Sequence, residues 1–191
     1  IRALEQCDVD VQVLGKDEQY PDSCFIEDIA LLTKECAIIT NPGAPSRKGE
    51  ILGIRQVLEE HYTHIEEIHE PGTVEAGDIM MVGSHFYIGL SARTNAQGAQ
   101  QVITCLEKYG LSGSVVELEH VLHLKTGVAY LEHNNLLACG EFLTKPEFQE
   151  FDILKIEADE SYAANCIWVN EHVIIPKGYP KARHTLQSAG Y

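Results

Sequence analysis

Apolar positions along the chain fall into paired runs separated by short polar turns: IALL-TKEC-AIIT, DIMMV-GSH-FYIGL, VAYL-EHNN-LLACG and CIWV-NEH-VIIP. Each pair is rich in β-branched and other apolar residues, and each predicts a β-hairpin. Behind the first two lie SRKGEILGIRQVLEEHY and NAQGAQQVITCLEKYG, whose apolar residues recur at three- and four-residue steps, the period of an amphipathic helix. Weaker helical stretches, KPEFQEF and YPKARHTLQSAGY, follow the third and fourth pairs. HIEEIH, SVVELE and ILKIEA then read as one further strand behind each of the first three helices. The recurring unit is strand, strand, helix, strand. The chain opens in a helix tail and VDVQVL, which reads as the closing half of another such unit, and it lacks an initial Met. A ring of about five ββαβ units, clipped at both ends, is one arrangement these repeats support; a linear array is the other, since repetition alone does not show closure.

One stretch breaks the pattern. In PDSCFIEDIALLT, Glu27 and Asp28 sit side by side in what otherwise reads as a buried strand. An unpaired carboxylate there is costly unless a cation or hydrogen-bond donors meet it. The pair marks either a strand end at a solvated rim or a site in which one carboxylate orients structure while the other receives a cation. Successive strand side chains point to opposite faces, so at most one of the two faces a given cavity.

Comparable signals recur further on. In GTVEAGDIMMVG, Glu75 and Asp78 flank Ala76 and Gly77 just before an apolar strand, where small residues allow close approach of a ligand or backbone, or simply form a turn. Arg93 in IGLSARTNAQG and Arg47 in NPGAPSRKGE occupy matching places, each behind a hairpin and ahead of a helix. An arginine so placed is either surface or a bidentate partner for a carboxylate, and the repetition favours a site. His123, in VLHLKTGVAYL, is flanked by strand core positions; it is a structural histidine or a general acid/base. The histidines of HYTHIEEIH (His61, His64 and His69) do not make a helical HxxxH pair, so no metal site is expected there.

Composition narrows the function. The chain has 191 residues with 45% apolar content, which suits one globular domain over residues 1–191. Lys plus Arg is 14 and Asp plus Glu is 29, a net charge of −15. That field repels phosphate backbones and anionic membranes, so no nucleic-acid or membrane partner is expected, whereas a cationic small molecule suits it. No apolar run reaches the length of about 18 residues that a membrane helix needs. Six cysteines without a CxxC motif read as reduced thiols of a cytoplasmic protein. Carboxylates, two arginines and a histidine together suit a zwitterion with a cationic side chain and a free carboxylate, as in arginine.

The stretches YPDSCFIEDIALL, ITNPGAPSRKGE, PGTVEAGDIMMVG, FYIGLSARTNAQG, VLHLKTGVAYLEHNNLL and SYAANCIWVN resemble dimethylarginine dimethylaminohydrolase, of the guanidino-modifying (pentein) superfamily. The resemblance runs in order over essentially the whole chain. It implies an α/β fold, the five-bladed propeller of ββαβ units, and hydrolysis of Nω-methylated arginine to citrulline and dimethylamine through a covalent Cys-thiouronium intermediate. Carried over by position, it gives Asp28 and Glu75 the guanidinium nitrogens and Arg47 and Arg93 the α-carboxylate. Asp22 receives the α-amino group, Glu27 and Asp78 give support, and His123 is the catalytic histidine, with Glu75 beside it in the reaction. No metal or cofactor is implied, and a homodimer is left open as the assembled form. The family's nucleophilic cysteine stands in a strand after the last helix, and none of the six cysteines matches it, so the resemblance puts the nucleophile beyond Tyr191. Neighbouring readings are an arginine deiminase or amidinotransferase of the superfamily, or a non-catalytic binder of arginine analogues.

Overall fold

The computed structural model describes all residues, 1–191. It divides into two compact units, one of residues 15–124 and one of residues 1–14 with 125–191. The second unit opens with a short helix, α1 (Arg2–Glu5). VDVQVL, expected as a strand, forms none: residues 9–14 run irregularly behind α1, and no neighbouring strand completes a ladder with them.

The unit of residues 15–124 holds two three-stranded sheets of one design. Strands β1 (Ala30–Leu32) and β2 (Ala37–Ile39) form an antiparallel hairpin. After a 3₁₀ turn (Pro45–Leu52) and helix α2 (Ile54–Glu59), β3 (Ile65–Glu67) returns parallel to β2. The repeat follows with β4 (Ile79–Val82) antiparallel to β5 (His85–Leu90), helix α3 (Ala96–Glu107), and β6 (Ser112–Glu117) parallel to β5. The ββαβ reading therefore holds here strand for strand. The helical stretch behind the first hairpin is half 3₁₀, because Gly49 and Gly53 interrupt it and Pro45 starts it.

Helix α3 shows how the sequence places the next segment. Asn95 caps it, its side chain accepting from the Gly98 amide at 2.7 Å and the Thr73 amide at 3.1 Å while donating to the Pro71 carbonyl at 2.9 Å. Gly98 lets the helix lie against the backbone of Thr73; a Cβ there would stand 2.1 Å from that carbonyl oxygen. Asn41 closes the other side, accepting from the Val74 amide at 2.8 Å and donating to the Gly72 carbonyl at 2.6 Å. Residues 71–74 are thereby clamped between two asparagines, which fixes where Glu75 begins. Below them Ile38, Val74, Ile79, Phe86, Ile88, Val102 and Leu106 form one buried core. Each such side chain contributes about 1.5–3 kcal/mol by leaving water.

In the other unit, β7 (Val128–Tyr130), β8 (Asn135–Ala138) and β9 (Asp152–Lys155) repeat the antiparallel-then-parallel order, and β10 (Ile167–Val169) pairs with β11 (His172–Ile174). KPEFQEF makes only a 3₁₀ turn, Pro146–Phe148, whereas the last helical stretch is α4 (Pro180–Ser188). The β10–β11 turn puts Asn170 and Glu171 at φ 44 and 68, the left-handed pair of a two-residue hairpin turn. Leu131, Leu137, Ile156, Ala163 and Leu186 make this unit's core.

Candidate active site

The residues that broke the hydrophobic pattern come together in the unit of residues 15–124. FIED is not a strand: Ile26–Ile29 is a 3₁₀ turn leading into β1, and Phe25 and Ile26 are exposed. Two adjacent acids and the Phe25 carbonyl's bond from the Asp28 amide favour the turn over a ladder. The turn separates the pair, burying Asp28 and leaving Glu27 exposed. Asp28 Oδ1 accepts the Gly77 amide at 2.8 Å, and Oδ2 accepts Arg47 Nη1 at 2.5 Å.

Glu75 ends the clamped segment. Its own amide is held by Thr94 Oγ1 at 3.1 Å, and its Oε1 accepts the Ala44 amide at 3.0 Å. A second 3₁₀ turn, Ala76–Asp78, then carries Gly77 beneath the Asp28 carboxylate. Close approach was expected at this glycine, and the approaching groups are side chains: a Cβ on Gly77 would lie 2.6 Å from Asp28 Oδ1 and 3.2 Å from the His123 ring. Asp78 is fully buried. It accepts from Ser91 Oγ and Thr94 Oγ1, each at 2.7 Å, and from the Leu124 amide at 3.0 Å.

His123 lies on a bend just ahead of Leu124, not within a strand, because the chain there turns to give the Leu124 amide to Asp78. Its Nδ1 is 3.3 Å from Asp78 Oδ1 and its Nε2 3.4 Å from Glu75 Oε2. Burial opposes protonation of this ring most strongly, but Asp78, Asp28 and Glu75 together outweigh it and raise the pKa above the ordinary 6.5. Asp78 thus orients the imidazole and sustains its charge.

The two arginines differ. Arg47 is buried and its donors are spent within the protein: Nε and Nη2 on Glu50, Nη1 on Asp28, and Nη2 also on the carbonyls of Asp22 and Phe25. Arg93 is about one-third exposed, with Nη1 3.8 Å from Glu75 Oε1. Asp22 is exposed and meets the cluster through its carbonyl. Glu50, Ser91 and Thr94 were not singled out from the sequence. The Arg47–Glu50 spacing of three was the one available signal, since i and i+3 side chains eclipse in a 3₁₀ turn.

Asp28, Glu75 and His123 each present an atom within 4.8 Å of the other two, the grouping here able to hold a cation. Arg47 Nη1 already sits on Asp28 and lies 3.8 Å from Glu75 Oε2, so one guanidinium nitrogen of the protein itself stands at the cluster. Asp28, Glu50, Glu75 and Asp78 bring four buried carboxylates together, and they face the guanidinium groups of Arg47 and Arg93 and the His123 ring. The histidines of HYTHIEEIH take other roles, His64 lying against Tyr109 and His69 holding Gln101 through its backbone. Cys36, Cys105, Cys139 and Cys166 are buried, and burial pushes their thiols up, that of Cys166 to about 12. Such thiols are poor nucleophiles.

Residues 1–155 match the family described as "N,N dimethylarginine dimethylhydrolase, eukaryotic". The chain belongs to the dimethylarginine dimethylaminohydrolase family. It is 65% identical over 192 residues to the N(G),N(G)-dimethylarginine dimethylaminohydrolase of Pseudomonas aeruginosa, covering 100% of this chain and 76% of that one. A crystal structure of the Pseudomonas family member, a cysteine-to-serine variant complexed with citrulline, superposes with TM-score 0.98 at 64% identity over 100% of this chain and 75% of that one. The N-terminal domain of ArgZ, a cyanobacterial arginine dihydrolase, matches with TM-score 0.89 at 18% identity over 100% of this chain and 73% of that one, a likeness of fold alone. These likenesses give the chain the pentein fold of the family, as the resemblance implied; the ββαβ repeats alone left a ring and a linear array open.

Proposed function

We propose that this protein hydrolyses Nω-methylated arginine to citrulline and dimethylamine. The observation that carries the reading is the Asp28–Glu75–His123 cluster, two buried carboxylates and a half-buried imidazole whose facing atoms lie within 4.8 Å of one another. A guanidinium carbon is a poor electrophile because its charge is delocalised, so the protein's task is to hold it in line for attack. Asp28 and Glu75 each retain acceptor capacity beyond their bonds to Gly77, Arg47 and Ala44, and they grip the guanidinium nitrogens. Arg93, partly exposed beside Glu75, receives the α-carboxylate; Arg47 contributes from behind, and Asp22 with Glu27 lines the outer approach. His123, held by Asp78 with its pKa raised, protonates the departing amine and then takes a proton from water. The thiol that adds to the carbon is not one of the buried cysteines here; the chain spans about three quarters of the Pseudomonas relative, and we assign the nucleophile to the remainder. The free cysteines support a reducing, cytoplasmic setting.

The test is citrulline release by the full-length protein from dimethylarginine and from arginine. Turnover of dimethylarginine supports the reading. A strong preference for arginine points to a deiminase, and binding of dimethylarginine without release of citrulline points to a non-catalytic binder.

A further inference from the structure

An internal guanidinium beside a guanidinium clamp creates a competition. Arg47 reaches Asp28 at 2.5 Å through Nη1 and lies 3.8 Å from Glu75, so it could swing onto both carboxylates and fill the space of a ligand. What holds it back is Glu50, whose side chain is 1% exposed. Both Glu50 oxygens accept Nε at 3.1 Å, and Oε2 accepts Nη2 at 2.7 Å. This fixes the plane of the guanidinium from its Nε edge and leaves only Nη1 facing the cluster. Nη2 also donates to the carbonyls of Phe25 at 3.1 Å and Asp22 at 3.2 Å, so the same anchored group ties down the loop that leads to Asp28. Tyr20 lies against the same turn: a Cβ on Gly49 would stand 1.7 Å from its hydroxyl.

We propose that Glu50 is a positioning residue that restrains Arg47 from occupying the Asp28–Glu75 clamp and thereby keeps the clamp open to the substrate's guanidinium. Asp28 then keeps one oxygen on the Gly77 amide and one on a single arginine nitrogen, with lone pairs left for a ligand. This inference rests on the reading of the cluster as a guanidinium site.

The experiment uses the full-length protein with its nucleophilic cysteine replaced by serine, so that dimethylarginine binds without turnover, and the Glu50→Gln and Glu50→Asp variants of that protein. Calorimetric titration with dimethylarginine should show binding weakened about 10- to 100-fold in Glu50→Gln, the effect of losing a charge-assisted anchor, and partly restored in Glu50→Asp. In a double-mutant cycle, Glu50→Gln should cost much less when Asp28 is already Asn, because the two act through one arginine. Additive effects, or unchanged affinity in Glu50→Gln, overturn the proposal. The Gly77 amide resonance, which reports on Asp28 without any ligand, should move in Glu50→Gln. An unmoved Gly77 amide in a folded variant refutes the positioning role. Failure of the parent to bind dimethylarginine instead refutes the guanidinium-site reading, and the Gly77 measurement still decides whether Glu50 positions Asp28.

Discussion

Asp78→Asn tests the support of His123 without changing the size of the side chain. Asp78 accepts two hydroxyls at 2.7 Å and the Leu124 amide at 3.0 Å, with His123 Nδ1 at 3.3 Å. An amide has to turn its NH₂ toward one of these groups. Toward Leu124 and His123 it meets donors. Toward the hydroxyls it meets Ser91 Oγ, which already accepts the Arg93 and Thr94 amides at 2.9 and 3.2 Å. Thr94 Oγ1 already accepts the Glu75 amide at 3.1 Å. Charge-assisted bonds become neutral ones and at least one group is left badly paired, a loss of about 3 kcal/mol. For a chain of this size that is roughly 6–12 °C in Tm. The pH dependence has a definite sign. His123 is raised in the folded protein above 6.5, so the stability it contributes is fully present below 6.5 and is lost as pH rises through its folded value. Asp78→Asn lowers the His123 pKa, so its destabilisation is larger at pH 5.5 than at pH 9. Urea unfolding at both pH values, with NMR titration of the His123 ring, measures this. A variant within about 0.5 kcal/mol of the parent, the size of an ordinary surface substitution, would refute the reasoning. So would an unchanged His123 titration.

Three further outcomes are expected. Gly77→Ala crowds Asp28 and His123 and should destabilise by about 1–3 kcal/mol, while Gly53→Ala, with open space at its Cβ, should not; thermal melts compare them. Arg93→Gln should weaken dimethylarginine binding about 10-fold and leave binding of an analogue lacking the carboxylate unchanged, as read by calorimetry on the full-length protein with serine at its nucleophilic cysteine. Alkylation of the native protein at neutral pH should modify the exposed Cys24 before the buried Cys36, Cys105, Cys139 and Cys166, as peptide mass mapping would detect; early labelling of Cys166 would contradict the burial described.

Much of the fold was legible because each hairpin has its own run of apolar residues and its own turn. That HIEEIH and SVVELE are strands could be read from repetition, but their parallel pairing with β2 and β5 could not, since no local signal distinguishes β3 or β6 from an edge strand elsewhere. VDVQVL alternates like a strand but lacks a neighbour, which no local pattern reveals. The acids and His123 stood out because each interrupts an apolar stretch. Glu50, Ser91 and Thr94 did not, since polar residues in a turn or ahead of a helix look solvated until tertiary contacts bury them. The single bond from Arg47 to Asp28 was hidden for the same reason: the two are 19 positions apart, and the pair exists only once the 3₁₀ turns that carry them meet.

The claim that this acidic cluster receives a guanidinium is tested most directly through Glu75→Gln. The glutamine oxygen can keep the Ala44 amide bonded as Glu75 Oε1 does at 3.0 Å, so the backbone stays anchored. Its NH₂ then faces the position of a ligand nitrogen, donor against donor. Calorimetric titration with dimethylarginine of the full-length protein carrying serine at its nucleophilic cysteine, which binds without turnover, should show affinity falling at least about 10-fold in the variant, in line with the loss of one charge-assisted pair. Equal affinity in parent and Glu75→Gln would contradict the assignment of this cluster as the guanidinium clamp.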